Sequence, residues 1–416
     1  MIYLAFKASR RKEYVSPSVL FCSGFAISTL FSTLNVYNWN YSISPNTVFI
    51  ILLSVLVFGF GCRLGNRISI RTEKKWINYN KNWSVRTNSL LFFLGLIVLL
   101  CCGVRIFDII QTTKSSNLFS GAIALYRYNS APSKITNIIK ICDALVSSIL
   151  IFVIIDIAKK NSHTKYTHYI LLVIGIIYYA LSSSRIEIIY VFIYGIVAYL
   201  IELKVKNSKL NIHSIMLALK IGLLLLLIFF AAGFLTGKSQ AQKSMFDNIS
   251  LYAGSSIDAF DIWLNRVKHV GNYYGSITLI GISNLLSLLG VNIQVAGDPT
   301  LTYINIGNML HTTNVYTCLA EYISDVGFAG SYIIIMILGM ISQIIYRKAL
   351  ISRIMGKQKY YALYIYMAPI ILLSSIAERF FSTFFTLSTI VFMICIKLLL
   401  SLQYKSEAKA YELYIL

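Results

Sequence analysis

Residues 169–181, YILLVIGIIYYAL, and residues 186–203, IEIIYVFIYGIVAYLIEL, are two apolar runs joined by only four residues, Ser182, Ser183, Ser184 and Arg185. A run of this composition crosses hydrocarbon as a helix, because only a helix satisfies its backbone N–H and C=O groups within its own segment. Two such runs with so short a join predict a tight membrane hairpin with Arg185 at its tip.

Similar windows recur along the chain and predict spans at 19–36, 47–62, 89–110, 135–157, 168–181, 186–203, 214–235, 316–346, 360–377 and 381–400. Most approach the roughly 20 residues that cross ~30 Å of hydrocarbon. Apolar residues make up 57% of the chain and charged residues 13%, and five prolines leave few natural breaks. The expected fold class is an all-α polytopic membrane protein of ten transmembrane helices, a single integral membrane domain over residues 1–416. Six of the seven cysteines (Cys22, Cys62, Cys101, Cys102, Cys142 and Cys395) fall in or at the ends of apolar runs, without ligand spacing, and read as small packing residues. The first apolar run follows basic residues, but no small-x-small cleavage site ends it, so it reads as a retained anchor.

A net charge of +21 would suit nucleic acid, but its distribution does not. The cations come in blocks between apolar runs, at 7–12, 63–86, 159–165, 204–209, 347–359 and 397–409. In membrane proteins such blocks stay on the cytoplasmic side against anionic headgroups. With the N-terminus inside, alternation puts every one of these blocks inside as well. The opposite side keeps only scattered cations, among them Arg127, Arg185, Lys238, Arg266 and Arg379. Both termini are therefore expected in the cytoplasm and membrane lipid is an expected partner, whereas nucleic acid is not.

One long outer stretch, residues 237–315, interrupts the pattern. Within it, Met245, Ile249, Tyr252, Phe260, Trp263 and Val267 recur at three- and four-residue spacing, with Asp258, Asp261, Asn265 and Lys268 opposite. This spacing predicts an amphipathic helix along the membrane boundary with a solvated polar face. The apolar run Ile277–Leu289 cannot cross without throwing the block 347–359 outside, so residues 276–290 must dip in and return or pack against the bundle.

Arg185 sits on the side with few cations, at a turn too short to leave the membrane boundary, and its guanidinium fork matches phosphate oxygens bidentately. It is a candidate anion receptor, with Glu187 two residues on to orient it. Arg379, after Glu378 at a second tight outer turn, and Arg127, in an outer loop, are candidate second and third contacts. His311 is one of two outer histidines and can take a proton from a hydroxyl. Asp258 and Asp261 share a helical face that reads either as solvated or as a divalent-ion site. The stretch Gly233-Phe-Leu-Thr-Gly237-Lys238-Ser239 is not a phosphate-binding loop, since it has three residues between its glycines instead of four and follows no strand.

His311 and Asn314 precede an apolar helix that carries Glu321, Asp325, Gly327 and Gly330. This stretch resembles the final-loop signature of O-antigen and related surface-polysaccharide polymerases of the Wzy class and of the related O-antigen ligases. Ser183 to Arg185, opening a helix after an outer turn, is similar to the arginine-bearing turn of that family, and the likeness extends over roughly residues 180–345. One departure is that Thr312 and Thr313 separate His311 from Asn314, whereas the ligase-like pattern has them adjacent.

The resemblance implies a GT-C-like membrane glycosyltransferase in the bacterial inner membrane, with residues 237–315 in the periplasm. It would join repeat units carried on undecaprenyl diphosphate, with a chain-length regulator as a further partner and no metal or other cofactor. Arg185, Arg379 and Arg127 would hold the diphosphate, and His311, Asp258 or Glu321 would accept the hydroxyl proton. The rival readings are a flippase of the lipid-linked unit, against which stands the lack of repeated halves, and an O-antigen ligase with the same chemistry.

Overall fold

The computed structural model describes residues 13–73, 83–84, 88–114, 125–126, 135–159, 166–182, 185–206, 250–266, 275, 278–281, 283, 286, 291, 303–307, 311–354, 358–401 and 404–405. The predicted span 214–235, the Gly233–Ser239 stretch, Arg127, Met245, Ile249, Val267, Lys268 and His269 lie outside the described residues. In chain order the elements are α1 Pro17–Leu34, α2 Val36–Trp39, α3 Pro45–Glu73, β1 Trp83–Ser84, α4 Asn88–Thr113, α5 Thr136–Ala158, α6 Tyr166–Leu181 and α7 Arg185–Val205. Then follow α8 Ser255–Arg266, β2 Ile304–Ile306, β3 His311–Thr313, α9 Cys318–Ile354, α10 Lys359–Leu372, α11 Leu387–Ser401 and β4 Tyr404–Lys405.

Among the described residues, six helical segments are long and apolar enough to cross a membrane: Pro17–Leu34, Pro45–Ser69, Ser89–Thr113, Thr136–Ala158, Ile186–Val205 and Cys318–Arg353. Tyr166–Leu181 and Leu387–Ser401 are shorter apolar helices. The protein is an α-helical membrane protein. Its described strands form only two antiparallel pairs, β1 with β4 and β2 with β3.

The chain folds into two compact units, each held by its own contacts. The first comprises Met1–Trp76, Ser244–Arg347 and Met367–Thr389, and the second Ile77–Lys243, Lys348–Tyr366 and Ile390–Leu416.

In the first unit α1 packs on α3, and α8 packs on α1, α3 and the β2–β3 ribbon. The α3–α9 seam is closed by small residues. A Cβ at Gly61 would lie 2.0 Å from the Met336 carbonyl oxygen, and one at Gly65 would lie 2.4 Å from that of Met340. Backbones therefore touch there, as dispersion-driven packing between membrane helices requires. Helix α9 is not continuous: Gly327 has φ 73° and ψ 179°, a conformation an L side chain rarely adopts. The break leaves Asp325 at the end of a short helical segment, where its two carboxylate oxygens accept the backbone N–H groups of Gly275 and Thr278, both at 2.8 Å.

The expected continuous span 381–400 is instead two pieces, a π-helical turn Phe380–Phe384 and then α11. The Glu378 carboxylate accepts the N–H groups of Phe381 (2.9 Å) and Ser382 (3.0 Å) within the π-helical turn. Gly281 lies against this turn, since a Cβ there would meet the Phe381 carbonyl oxygen at 2.1 Å. The described part of the 276–290 segment is thus packed on protein and pinned by Asp325.

In the second unit α4 packs on α5 and α6, α5 on α6 and α7, and α6 on α7. The Ser182 N–H and hydroxyl both return to the Tyr179 carbonyl and close α6, and α7 opens at Arg185, so the predicted hairpin forms. At the other end of α7, Arg353 grips Glu202 through two nitrogens, and the Tyr361 hydroxyl donates to the same carboxylate.

Candidate functional site

The first unit brings together three predicted residues around α8. The prediction of a solvated polar face is corrected here, because Asp258 and Asp261 are each 1% exposed. Periodicity showed that they share a face, but that face is covered by α1, the Asn40–Ser44 turn and the start of α3. Tyr41, Ser44 and Thr47 donate to Asp261 through three hydroxyls at 2.5–2.6 Å, and the Ser44 N–H adds a fourth bond at 3.2 Å. Burial alone would raise the Asp261 carboxyl, but the Ser44, Thr47 and Tyr41 hydrogen bonds outweigh it and hold the group below its ordinary value. It is a fully engaged structural anion.

Asp258 differs. Its Oδ1 accepts the Ser32 hydroxyl at 2.6 Å, while its Oδ2 is buried without a hydrogen-bond partner. Burial, with the Asp261 charge adding to it, pushes its carboxyl up to about 7 against the opposing Ser32 bond. A carboxyl poised near neutrality with an unpaired oxygen has the chemistry of a general base.

His311 begins β3, paired with Ile306, and the ribbon lies on α8, where the Ser255 hydroxyl donates to Thr313 at 3.2 Å. The two threonines that separate His311 from Asn314 thus have a structural use. Thr313 is buried against α8 and also accepts the Val315 N–H at 3.1 Å, while Thr312 stays exposed. Glu321 is half-buried in the first turn of α9.

Arg379 caps the π-helical turn with its carbonyl, and its Nε is buried without a hydrogen-bond partner. The local Glu378–Arg379 ion pair is absent among the described residues. Glu378 is committed to the Tyr322 hydroxyl (3.1 Å) and to the two backbone amides, and burial raises its carboxyl. The Arg379 guanidinium is left able to receive an anion.

The second unit holds Arg185 and a constellation that reading the loops alone had passed over. Arg105, on α4 and buried, donates to the Asp143 carboxylate of α5 and to the Tyr178 hydroxyl of α6 (3.1 Å), and its guanidinium carbon stands 5.1 Å from the Tyr178 ring centre. Tyr178 in turn donates to Asp143 at 2.7 Å. One helical turn beyond Arg105, Asp108 is wholly buried and accepts the Tyr126 hydroxyl, which anchors the segment immediately before Arg127.

These residues lie in the last turns of α4 and α6 and near the start of α5, at the end of the bundle where α7 opens with Arg185. Tyr179, beside Tyr178, has the Asp143 and Glu187 carboxylates as electrostatic neighbours. Arg105 Nε, Asp108 Oδ1 and Glu187 Oε2 are buried without partners. The signal was in the sequence. Arg105, Asp108 and Asp143 interrupt runs of apolar residues, and a charge inside a membrane span is costly enough to mark function.

Among the described residues, no group of three or more His, Cys, Asp or Glu side chains is placed to hold a metal ion. No family model matches the chain, and no curated protein or solved structure matches it either.

Proposed function

We propose that this protein polymerises undecaprenyl-diphosphate-linked oligosaccharide repeat units into O-antigen or a similar surface polysaccharide at the periplasmic face of the bacterial inner membrane. On this reading ten spans place both termini in the cytoplasm and residues 237–315 in the periplasm. The observation that carries it is the Arg105–Asp143–Tyr178 network at the end of the second unit where Arg185 opens α7. Charges kept within membrane helices mark that end of the unit as functional, and a lipid-borne diphosphate there has to be paired with a cation.

Arg185, with Arg127 of the same unit, stabilises the departing diphosphate as its negative charge grows. The acceptor sugar hydroxyl gives its proton to a carboxylate or imidazole and its oxygen bonds to the anomeric carbon. The bond from that carbon to the diphosphate oxygen breaks, and the electron pair leaves with the diphosphate. Asp258, with its unpaired oxygen and near-neutral carboxyl, is the candidate acceptor in the first unit, with His311 and Glu321 as the alternatives.

Deletion of the protein should replace a ladder of polysaccharide lengths with single lipid-linked units in the cell envelope. Arg185→Ala should do the same while still inserting to the wild-type level. Full ladders from Arg185→Ala would remove this site, and accumulation of units on the inner leaflet would favour a flippase.

A further inference from the structure

The first unit contains a partly polar cavity of about 230 Å³, bounded by α1 and the residues before it, by α3 and by α9. It joins two basic blocks far apart in sequence, since Arg63 comes from α3 and Arg347 from α9. Arg347 donates through Nε to the Asn66 side-chain oxygen at 2.6 Å and lies 3.4 Å from a Glu13 carboxylate oxygen. Arg63 has no ion-pair partner among the described residues. With Glu13 balancing Arg347, the cavity retains one uncompensated positive charge.

Its opposite wall is apolar and faces outward: Leu56 is 68% and Phe60 52% exposed. The α3–α9 backbone contacts at Gly61 and Gly65 fix the two arginine-bearing helices against each other, so the cavity is preformed. Gly59 forms part of the lining, and a Cβ built on it meets nothing within 4 Å.

We infer that this cavity is a binding site for one anionic phospholipid, its phosphodiester on Arg63 beside Arg347 and its chain along Leu56 and Phe60. A single negative phosphodiester matches the single spare positive charge, and a glycerol headgroup can hydrogen-bond Ser16, Ser18 and the Asn66 amide without adding charge. A choline headgroup would bring a second cation into a cavity that already has one to spare. Ordinary snorkelling of Arg63 to the surface would need neither the second arginine nor the notch at Gly59.

The test uses the full-length protein, purified in detergent and exposed to phosphatidylglycerol or phosphatidylcholine, with bound lipid counted by native mass spectrometry. Wild type should retain one phosphatidylglycerol in preference to phosphatidylcholine, and excess inorganic phosphate should not displace it. Arg63→Gln should weaken retention about tenfold, the scale of one lost charge-assisted contact. Gly59→Leu, which fills the cavity without touching charge or backbone, should abolish it. Equal retention of the two lipids, or unchanged retention in both variants, would overturn the site, and displacement by phosphate alone would show a soluble anion to be the ligand instead.

Discussion

Replacing Asp258 by asparagine removes a carboxylate that the fold keeps near neutrality, and its effect can be worked out from its surroundings. The group moves from an ordinary value of 3.8 in the unfolded chain to about 7 in the fold, because burial disfavours its charged form. The sign follows from linkage: the native state binds the proton more tightly, so this contribution is complete below pH 3.8 and is lost as pH rises through 7. The loss integrates to about 4 kcal/mol, since each pH interval in that window is worth about 1.4 kcal/mol. Asparagine keeps an oxygen for the Ser32 hydroxyl but puts an NH₂ where Oδ2 had no partner, at a cost of roughly 1–2 kcal/mol. Asp258→Asn should therefore be roughly 2–3 kcal/mol more stable than wild type at about pH 8, and about equal to it at about pH 5. Thermal unfolding of the detergent-solubilised protein at the two pH values measures this. Parallel pH profiles for variant and wild type would refute the reasoning, because they would mean that Asp258 is charged at both. If Asp258 is also the base, the more stable variant should be inactive.

Arg105→Gln leaves Asp143 and Tyr178 without their cation and should lower stability by roughly 2 kcal/mol, short of the fully buried limit because Asp143 is partly exposed. Asp143→Asn added to Arg105→Gln should recover most of that loss, and thermal unfolding of the single and double variants checks the coupling. Gly327→Ala forces a side chain into the left-handed region inside α9 and should cost roughly 1 kcal/mol or more in the same measurement. Asp325→Ala should release the backbone amides of Gly275 and Thr278, seen as faster hydrogen exchange there with the α3–α9 seam still protected.

Apolar runs located the described membrane helices well. Pro17–Leu34 matches the expected 19–36, Thr136–Ala158 matches 135–157, and the α6–α7 hairpin stands where Ser182 to Arg185 placed it. Hydropathy misjudged where helices stop. Helix α3 continues to Glu73 because a helical backbone does not end where the apolar side chains do, and Gly65 and Ser69 still face protein beyond Cys62. The π-helical turn at Phe380, where Glu378 reaches two amides, was invisible because a change of helical winding leaves no mark in hydropathy.

Part of the candidate site was legible for the same reason that part of it was not. Arg185 and Arg379 announce themselves by residue type at a turn, whereas the Gly327 break interrupts what reads as a continuous span, and burial of Asp258 depends on Ser32 and its helix, more than two hundred residues away. Arg105, Asp108 and Asp143 were readable as charges within spans, but counting cations by loop set them aside.

Reconstitution of the purified protein into proteoliposomes with lipid-linked repeat units, followed by gel separation of the products, tests the central claim most directly. Chain growth on the carrier, dependent on Arg185, is the predicted result. Units that remain single, or that cross the bilayer without being joined, would contradict it.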